Sequence, residues 1–88
     1  MTRLKINVSG RVQGIGFRFS AMQAAYKYGV RGFVKNCPDG SVYLEAEGEN
    51  QAVDQFLDWC KRGPIGARVE KTQSEYAEPE GYKRFDIK

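Results

Sequence analysis

Apolar and polar residues alternate at the start of the chain and then change to a helical spacing. The alternation has a period of two, which is typical of a half-buried strand, and its apolar members are Leu4, Ile6 and Val8. From residue 17 onward, apolar and small residues recur every three or four positions and predict one face of a helix, made of Phe17, Ala21, Ala25 and Tyr28. We therefore predict a strand around residues 4–8 and a helix over 17–28 that ends at Gly29.

The middle of the chain predicts an antiparallel hairpin. Two strand-like stretches, 30–36 and 41–48, flank Pro38-Asp39-Gly40, in which all three residue types favour a tight turn. The apolar positions of these stretches are Val30, Val34, Val42, Leu44 and Ala46. Gly32 interrupts the first stretch, and a glycine inside a strand indicates a bulge or the close approach of another backbone.

A second helix is predicted over residues 50–62. Its apolar residues follow the spacing i, i+3, i+4 and i+7, and they are Val53, Phe56, Leu57 and Cys60. We expect Asn50 to cap the first turn, because its side-chain oxygen can accept a hydrogen bond from a free backbone amide. Gly63-Pro64 is a strong signal that the helix ends there.

The last part of the chain predicts two strands separated by a loop. Residues 67–76 form a strand whose polarity suits the edge of a sheet, and residues 77–81 form a solvated loop. A short strand over 83–87 follows, and we expect Phe85 and Ile87 to anchor it in the core.

The order of these elements predicts the fold class. It is βαββαβ plus a short C-terminal strand, the ferredoxin-like split βαβ arrangement of the α+β class. In this arrangement an antiparallel-rich sheet carries two helices on one face. We expect residues 1–88 to form one domain of this kind, since the chain contains no repeat or linker.

The segment between the first strand and the first helix has the most specific chemistry. Gly10, Gly14 and Gly16 let the backbone curl, because glycine reaches positive φ without a steric penalty. A curled backbone at a helix start directs several N–H groups to one point, where the helix dipole also favours an anion. Arg18 adds a planar charged fork suited to phosphate or carboxylate. The glycines alone fit a plain turn equally well, but an arginine placed against the dipole favours a bound anion.

Composition narrows the class of partner. The 88 residues carry 14 Lys and Arg against 11 Asp and Glu, and the net charge of +3 is spread along the chain. This mild excess suits a small anionic substrate and does not predict nucleic-acid binding. No apolar run has the length of a membrane span and no signal peptide is recognised, so we expect a cytoplasmic protein. Cys37 and Cys60 are too few for a disulfide framework, and without histidine they do not make a usual zinc site.

Two segments together make the chain similar to the acylphosphatase family. They are Gly10-Arg11-Val12-Gln13-Gly14-Ile15-Gly16-Phe17-Arg18 and Gly32-Phe33-Val34-Lys35-Asn36, the second followed by Gly40, Val42 and Gly48. Gly63-Pro64 and Phe85-Asp86-Ile87 also resemble the family, so the resemblance covers essentially the whole chain. It implies hydrolysis of acyl phosphates to a carboxylate and inorganic phosphate, without metal or cofactor. Many members carry Thr or Ser where this chain has Cys37.

The resemblance implies catalytic roles for Arg18 and Asn36. Backbone N–H groups would surround the phosphate oxygens, and the residues expected to bind phosphate are Gln13, Gly14, Ile15, Gly16, Phe17 and Arg18. The Asn36 amide would hold the attacking water, although local sequence alone also fits a turn residue. The carboxylate leaving group needs no proton donor, in keeping with a chain without histidine. We expect a monomer that acts on a small acyl phosphate, with inorganic phosphate or sulfate as competing anions.

Three other functions stay open from the sequence. RNA-recognition motifs share this topology, and Arg31-Gly32-Phe33-Val34 is weakly similar to their aromatic strand signature, although it lies on the second strand rather than the third. The chain also resembles acylphosphatase-like modules attached to carbamoyl-transferring maturation proteins, but its bounds around one domain favour a free enzyme. The third is a regulatory or binding role with residual hydrolysis.

Overall fold

Five strands and two helices make up the computed structural model, which describes residues 1–88. In chain order they are β1 (Thr2–Arg11), α1 (Phe17–Tyr28), β2 (Arg31–Asn36), β3 (Val42–Gly48), α2 (Asn50–Arg62), β4 (Arg68–Ala77) and β5 (Phe85–Ile87). The predicted order of elements and the α+β, ferredoxin-like class are confirmed.

All five strands belong to one sheet, in the order β4-β1-β3-β2-β5. The pairs β1–β4, β1–β3 and β2–β3 are antiparallel, and the short β5 runs parallel to β2. The predicted hairpin is the β2–β3 pair, and the polar β4 lies at the edge where it was expected. β1 and β3 each have a strand on both sides, so the positions from which the segments at their ends begin are well fixed.

One apolar core of 17 buried residues lies between the sheet and the helices. Alternate strand residues such as Leu4, Ile6 and Leu44 are buried and meet the apolar stripes of the two helices, so both helices pack on the same face. The rings of Phe56 and Phe85 lie 5.7 Å apart, edge to face. Cys60 is fully buried, and burial raises the pKa of its thiol.

Gly32 marks a close approach of two backbones, as predicted. It lies opposite Ala46 in the antiparallel register, with a φ of +150°. A Cβ added at Gly32 would lie 1.9 Å from the carbonyl oxygen of Glu45, which no real side chain tolerates. Only glycine therefore lets β2 pair with β3 at this point.

A buried carboxylate organises the face of the sheet that carries no helix. Glu45 Oε1 accepts a hydrogen bond from the Arg3 guanidinium at 2.6 Å and from the Tyr82 hydroxyl at 2.5 Å, while Oε2 accepts from the Tyr43 hydroxyl at 2.6 Å. Burial works against the charge, but these three donors and the charge of Arg3 together hold the pKa of Glu45 below its usual value. Burial and the same carboxylate raise the pKa of Tyr82 to about 12.

The loop between β4 and β5 is exposed but firmly attached. Glu47 lies almost fully buried on β3, and its carboxylate accepts hydrogen bonds from the main-chain amides of Glu80, Gly81 and Tyr82. The Arg3 Nε donates to the Glu78 carbonyl at 2.6 Å. The loop predicted as solvated therefore has an anchor that the sequence pattern did not indicate.

Two expectations about single residues are wrong. Glu49, not Asn50, occupies the N-cap position of α2, and no side chain caps the helix. The Asn50 Oδ1 instead accepts a hydrogen bond from the Thr2 hydroxyl. Ile87 remains 41% exposed, so Phe85 alone anchors β5 in the core.

Neither helix combines the length and apolarity that a membrane crossing requires.

Gly32→Ala should destabilise the protein because the new Cβ would overlap the Glu45 carbonyl. We expect a loss of about 2–4 kcal/mol in the free energy of unfolding, measured by urea titration. Gly40→Ala is the matched control, since its φ is also positive, +93°, but nothing lies within 4 Å of the added Cβ. Equal losses in the two variants would show that backbone strain, and not the close approach, sets the cost.

Glu45→Gln should change how stability depends on acid. The folded pKa of Glu45 lies below its ordinary value of 4.5, so its carboxylate stabilises the fold above that pH and the contribution disappears as pH falls through the folded value. We expect Glu45→Gln to lower the free energy of unfolding by about 1–3 kcal/mol at pH 7. Below pH 4.5 the free energy of unfolding should fall less steeply with acid in the variant than in the wild-type protein. Urea titrations between pH 3 and pH 7 measure this. The exposed Glu75→Gln is the control and should leave the acid-dependent slope unchanged.

Candidate active site

The segment between β1 and α1 makes the turn that its glycines predict. Gly14 has a φ of +77° and Gly16, at the N-cap of α1, has a φ of +80°. A Cβ at either position would meet nothing within 4 Å. The conformation itself, rather than close packing, therefore requires glycine at these two positions.

The amides of this segment have no acceptor within the main chain. None of the N–H groups of residues 13–16 donates to a main-chain carbonyl. The first three amides of a helix also lack an acceptor in the helix, and in α1 the series begins with Ser20, which donates to Gly16 at 3.0 Å. A row of unpaired donors thus meets the positive end of the α1 dipole, an arrangement that favours an anion.

Arg18 lies in the first turn of α1, with its side chain exposed. Its Nη1 donates to the main-chain oxygen of Lys88 at 3.1 Å, and no Asp or Glu side chain pairs with it. A cation at a helix N-terminus is unfavourable by itself, so the site gains from an anion that balances both charges.

Asn36 ends β2, and the turn that follows it is held from two sides. The Gln13 Nε2 donates to the carbonyls of Cys37 and Ser41, both at 2.8 Å. Asp39 Oδ1 accepts from the Ser41 amide at 3.0 Å and from its hydroxyl at 2.6 Å, which lowers the pKa of Asp39. Gln13 therefore joins the loop before α1 to the turn that carries Asn36.

A cleft of about 260 Å³ lies where these segments meet. Of the residues predicted for the site, those that line it are Gly14, Gly16, Phe17, Arg18 and Asn36. Gln13 and Ile15 are not among the lining residues. The Gln13 side chain donates to the turn and Ile15 packs against the core, while the main-chain amides of both residues have no main-chain acceptor. The structure thus brings together the two residues expected to be catalytic.

Four features of the cleft were not predicted from the sequence. Val12, Phe19 and Ile87 also line it, and the main-chain oxygen of Lys88 accepts a hydrogen bond from Arg18. Val12 and Ile87 lie in segments that resemble the family, but an apolar side chain in such a segment fits core packing as well as it fits a cleft. A main-chain oxygen belongs to any residue type, so no sequence signal could have indicated it.

A wider depression of about 500 Å³ lies elsewhere, on the face of the sheet opposite the helices. Lys5, Asn7 and Glu75 are among its lining residues. It contains no residue of the two motifs and no row of free amides, so its chemistry does not match the anion site that the sequence predicts. No group of three or more His, Cys, Asp or Glu side chains is arranged to hold a metal ion.

Known proteins of one family are similar to this chain in both sequence and fold. The family model described as Acylphosphatase matches residues 4–87. The acylphosphatase of Thermotoga maritima is 46% identical over 88 residues, which cover 100% of this chain and 98% of that protein. The crystal structure of acylphosphatase from Bacillus subtilis superposes with a TM-score of 0.96 at 38% identity, covering 99% of this chain and 98% of that one.

The same fold also occurs inside a much longer protein. The crystal structure of full-length HypF in the phosphate- and nucleotide-bound form matches with a TM-score of 0.87 at 31% identity, over 98% of this chain but only 11% of that one. The matches to T. maritima and B. subtilis, by contrast, extend over nearly the whole of both partners. Sequence, fold and coverage agree, and the chain belongs to the acylphosphatase family, whose members are hydrolases that cleave the acid anhydride bond of acyl phosphates.

Proposed function

We propose that this chain hydrolyses small acyl phosphates by in-line attack of water, without a metal ion, and that residues 1–88 act as one catalytic unit. The observation that carries the proposal is the cleft in which Arg18 and Asn36 lie beside the unpaired amides of the loop. Membership of the acylphosphatase family supports the reaction class.

The phosphoryl group binds at the loop in this proposal. The amides of residues 13–18 donate to its oxygens, and two guanidinium N–H groups of Arg18 bind oxygens at the same time. These donors already have this arrangement without a ligand, because Gly14 and Gly16 allow the curl and the Lys88 main-chain oxygen accepts a hydrogen bond from Arg18. Removal of one preorganised donor of this kind costs roughly 3–4 kcal/mol of transition-state stabilisation.

Asn36 positions the water that attacks phosphorus. Its Oδ1 accepts a hydrogen bond from the water while its Nδ2 donates to the water or to a phosphate oxygen. The bond from water oxygen to phosphorus forms as the bond from phosphorus to the carboxylate oxygen breaks. The leaving carboxylate is a weak base, so it departs without a proton from the protein. The two protons of the attacking water pass to the phosphate product and to solvent.

The same chemistry supports the rest of the proposal. Inorganic phosphate and sulfate present the same oxygens to the loop, so both compete with substrate. Action as a monomer in the cytoplasm stays part of the proposal. For the RNA-binding alternative, Phe33 is the key side chain, but its ring packs against Tyr82 at 6.0 Å and lies under the Lys88 ammonium at 4.2 Å. That ring is therefore not free to stack on a base.

Substitutions of Arg18 and Asn36 should separate phosphate binding from turnover. Arg18→Ala removes the fork, and we expect kcat/KM to fall by about 10²–10³ and phosphate inhibition to weaken. Arg18→Lys should recover little, because a point charge does not reproduce two parallel hydrogen bonds. Asn36→Ala should lower kcat by about 10² while the inhibition constant of phosphate changes little. Steady-state kinetics with acetyl phosphate and phosphate inhibition measure all three.

Arg62→Ala is the matched control, since Arg62 is exposed at the end of α2 and does not line the cleft. It should keep full activity. Near-normal kcat/KM in Arg18→Lys would contradict the role of the fork. Loss of phosphate affinity in Asn36→Ala, with kcat retained, would show that Asn36 binds phosphate and does not position the water.

Hydrolysis should persist after exhaustive chelation. The proposal meets the phosphate charge with loop amides and Arg18, so removing divalent ions takes away nothing that the reaction needs. We expect turnover of acetyl phosphate in excess EDTA to equal turnover with added Mg²⁺, and sulfate to raise KM without changing kcat. Activity that disappears in EDTA and returns with a divalent ion would refute the metal-independent mechanism.

A further inference from the structure

The cleft has an apolar side that the phosphoryl chemistry does not use. Four apolar side chains line it, and two of them, Val12 and Phe17, are 1% and 2% exposed and belong to the core. The other two, Phe19 and Ile87, remain 56% and 41% exposed. The core does not need these exposed surfaces, so they are available to a bound molecule.

The exposed pair comes from two different elements, α1 and β5, and both residues line the cleft. Phe19 directly follows Arg18 in the first turn of α1, and Ile87 directly precedes Lys88, whose main-chain oxygen holds the Arg18 guanidinium. Arg18 therefore has an apolar neighbour in each of the segments that fix its position. The cleft that contains Arg18 is thus also lined by this exposed apolar pair.

The charge of the cleft restricts what the acyl end of a bound substrate can be. Arg18 is the only residue with a formal charge that lines it. The nearby Lys88 directs its ammonium elsewhere, 4.2 Å from the ring centroid of Phe33, a residue paired with Glu45 on the face of the sheet without helices. A second phosphate or carboxylate on the acyl group would thus face apolar surface without a cation.

We propose that Phe19 and Ile87 form the acyl-recognition surface and select acyl phosphates whose acyl group is uncharged and apolar. This inference rests on the proposed function and adds the substrate class to it. Contact with the acyl group removes apolar surface of both partners from water, which favours binding in proportion to the area covered. Each methylene that reaches the surface should raise kcat/KM about threefold. A second anionic group should lower kcat/KM, because it loses water without gaining a partner.

The test compares four substrates on the wild-type protein and on variants. The substrates are acetyl, butyryl and benzoyl phosphate and an acyl phosphate that carries a second phosphate on its acyl group. We expect Phe19→Ala to lower the benzoyl-to-acetyl ratio of kcat/KM about tenfold and Ile87→Ala to lower it about threefold. The ratio cancels any general loss of Arg18 positioning, and comparing the ratio between variant and wild type cancels any difference in the intrinsic reactivity of the substrates. Phe19→Leu should restore part of the ratio, since leucine retains apolar area.

Two exposed apolar residues outside the cleft serve as matched controls. Tyr26 lies on α1, seven residues after Phe19, and is 70% exposed, while Ile65 follows α2 and is fully exposed. Tyr26→Ala and Ile65→Ala should leave the ratio unchanged. A second readout is inhibition by phenylphosphonate relative to methylphosphonate, which neither requires turnover nor involves a leaving group. Phenylphosphonate should inhibit the wild-type protein about tenfold more strongly, and Phe19→Ala should remove most of that difference.

The outcomes distinguish this inference from the function on which it rests. Equal ratios in the wild-type protein, Phe19→Ala and Ile87→Ala, with acetyl phosphate still hydrolysed, would overturn the acyl-recognition surface and leave the proposed function intact. A preference for the doubly phosphorylated substrate would overturn it as well. No hydrolysis of any of the four acyl phosphates would refute the proposed function itself.

Discussion

The side-chain amide of Gln13 is the interaction on which the cleft depends. It joins the loop after β1 to the turn after β2 by two 2.8 Å hydrogen bonds. Neither segment has regular hydrogen bonding of its own that would fix its distance from the other, and ordering a free loop is costly in entropy. With the clamp in place, the free amides and Asn36 face one space. Catalysis by alignment needs this, because a displacement of 1 Å can cost about 10²-fold in rate.

The layout of the fold could be predicted because burial repeats with a period that the sequence carries. Leu4, Ile6 and Val8 are all buried on one face of β1, and the stripe that includes Phe56 and Cys60 is buried on α2. Gly32 was correctly predicted as a close approach, since a glycine inside a strand has few other uses. The proximity of Arg18 and Asn36 did not follow from such patterns. It was expected from the resemblance to a family.

Features that depend on contacts between distant residues could not be predicted. In the sequence Glu45 is an ordinary strand carboxylate. Only the structure shows that its carboxylate accepts hydrogen bonds from Arg3 and two tyrosines. The error at Asn50 has the same cause: its side chain could satisfy either a helix amide or a hydroxyl 48 residues away, and the hydroxyl of Thr2 prevails. The exposure of Ile87 could not be predicted, because it depends on how the three-residue strand β5 packs against α1.

The contact between Arg18 and Lys88 has a consequence for the order in which this site is assembled during synthesis. Seventy residues separate the guanidinium from the main-chain oxygen that holds it. The loop and α1 are synthesised early, whereas β5, which pairs with β2 at the edge of the sheet, is synthesised late. A nascent chain therefore has its glycine loop well before the residue that holds Arg18. The contact that positions this arginine forms only when the segment that follows β2 at the sheet edge has been made and has docked.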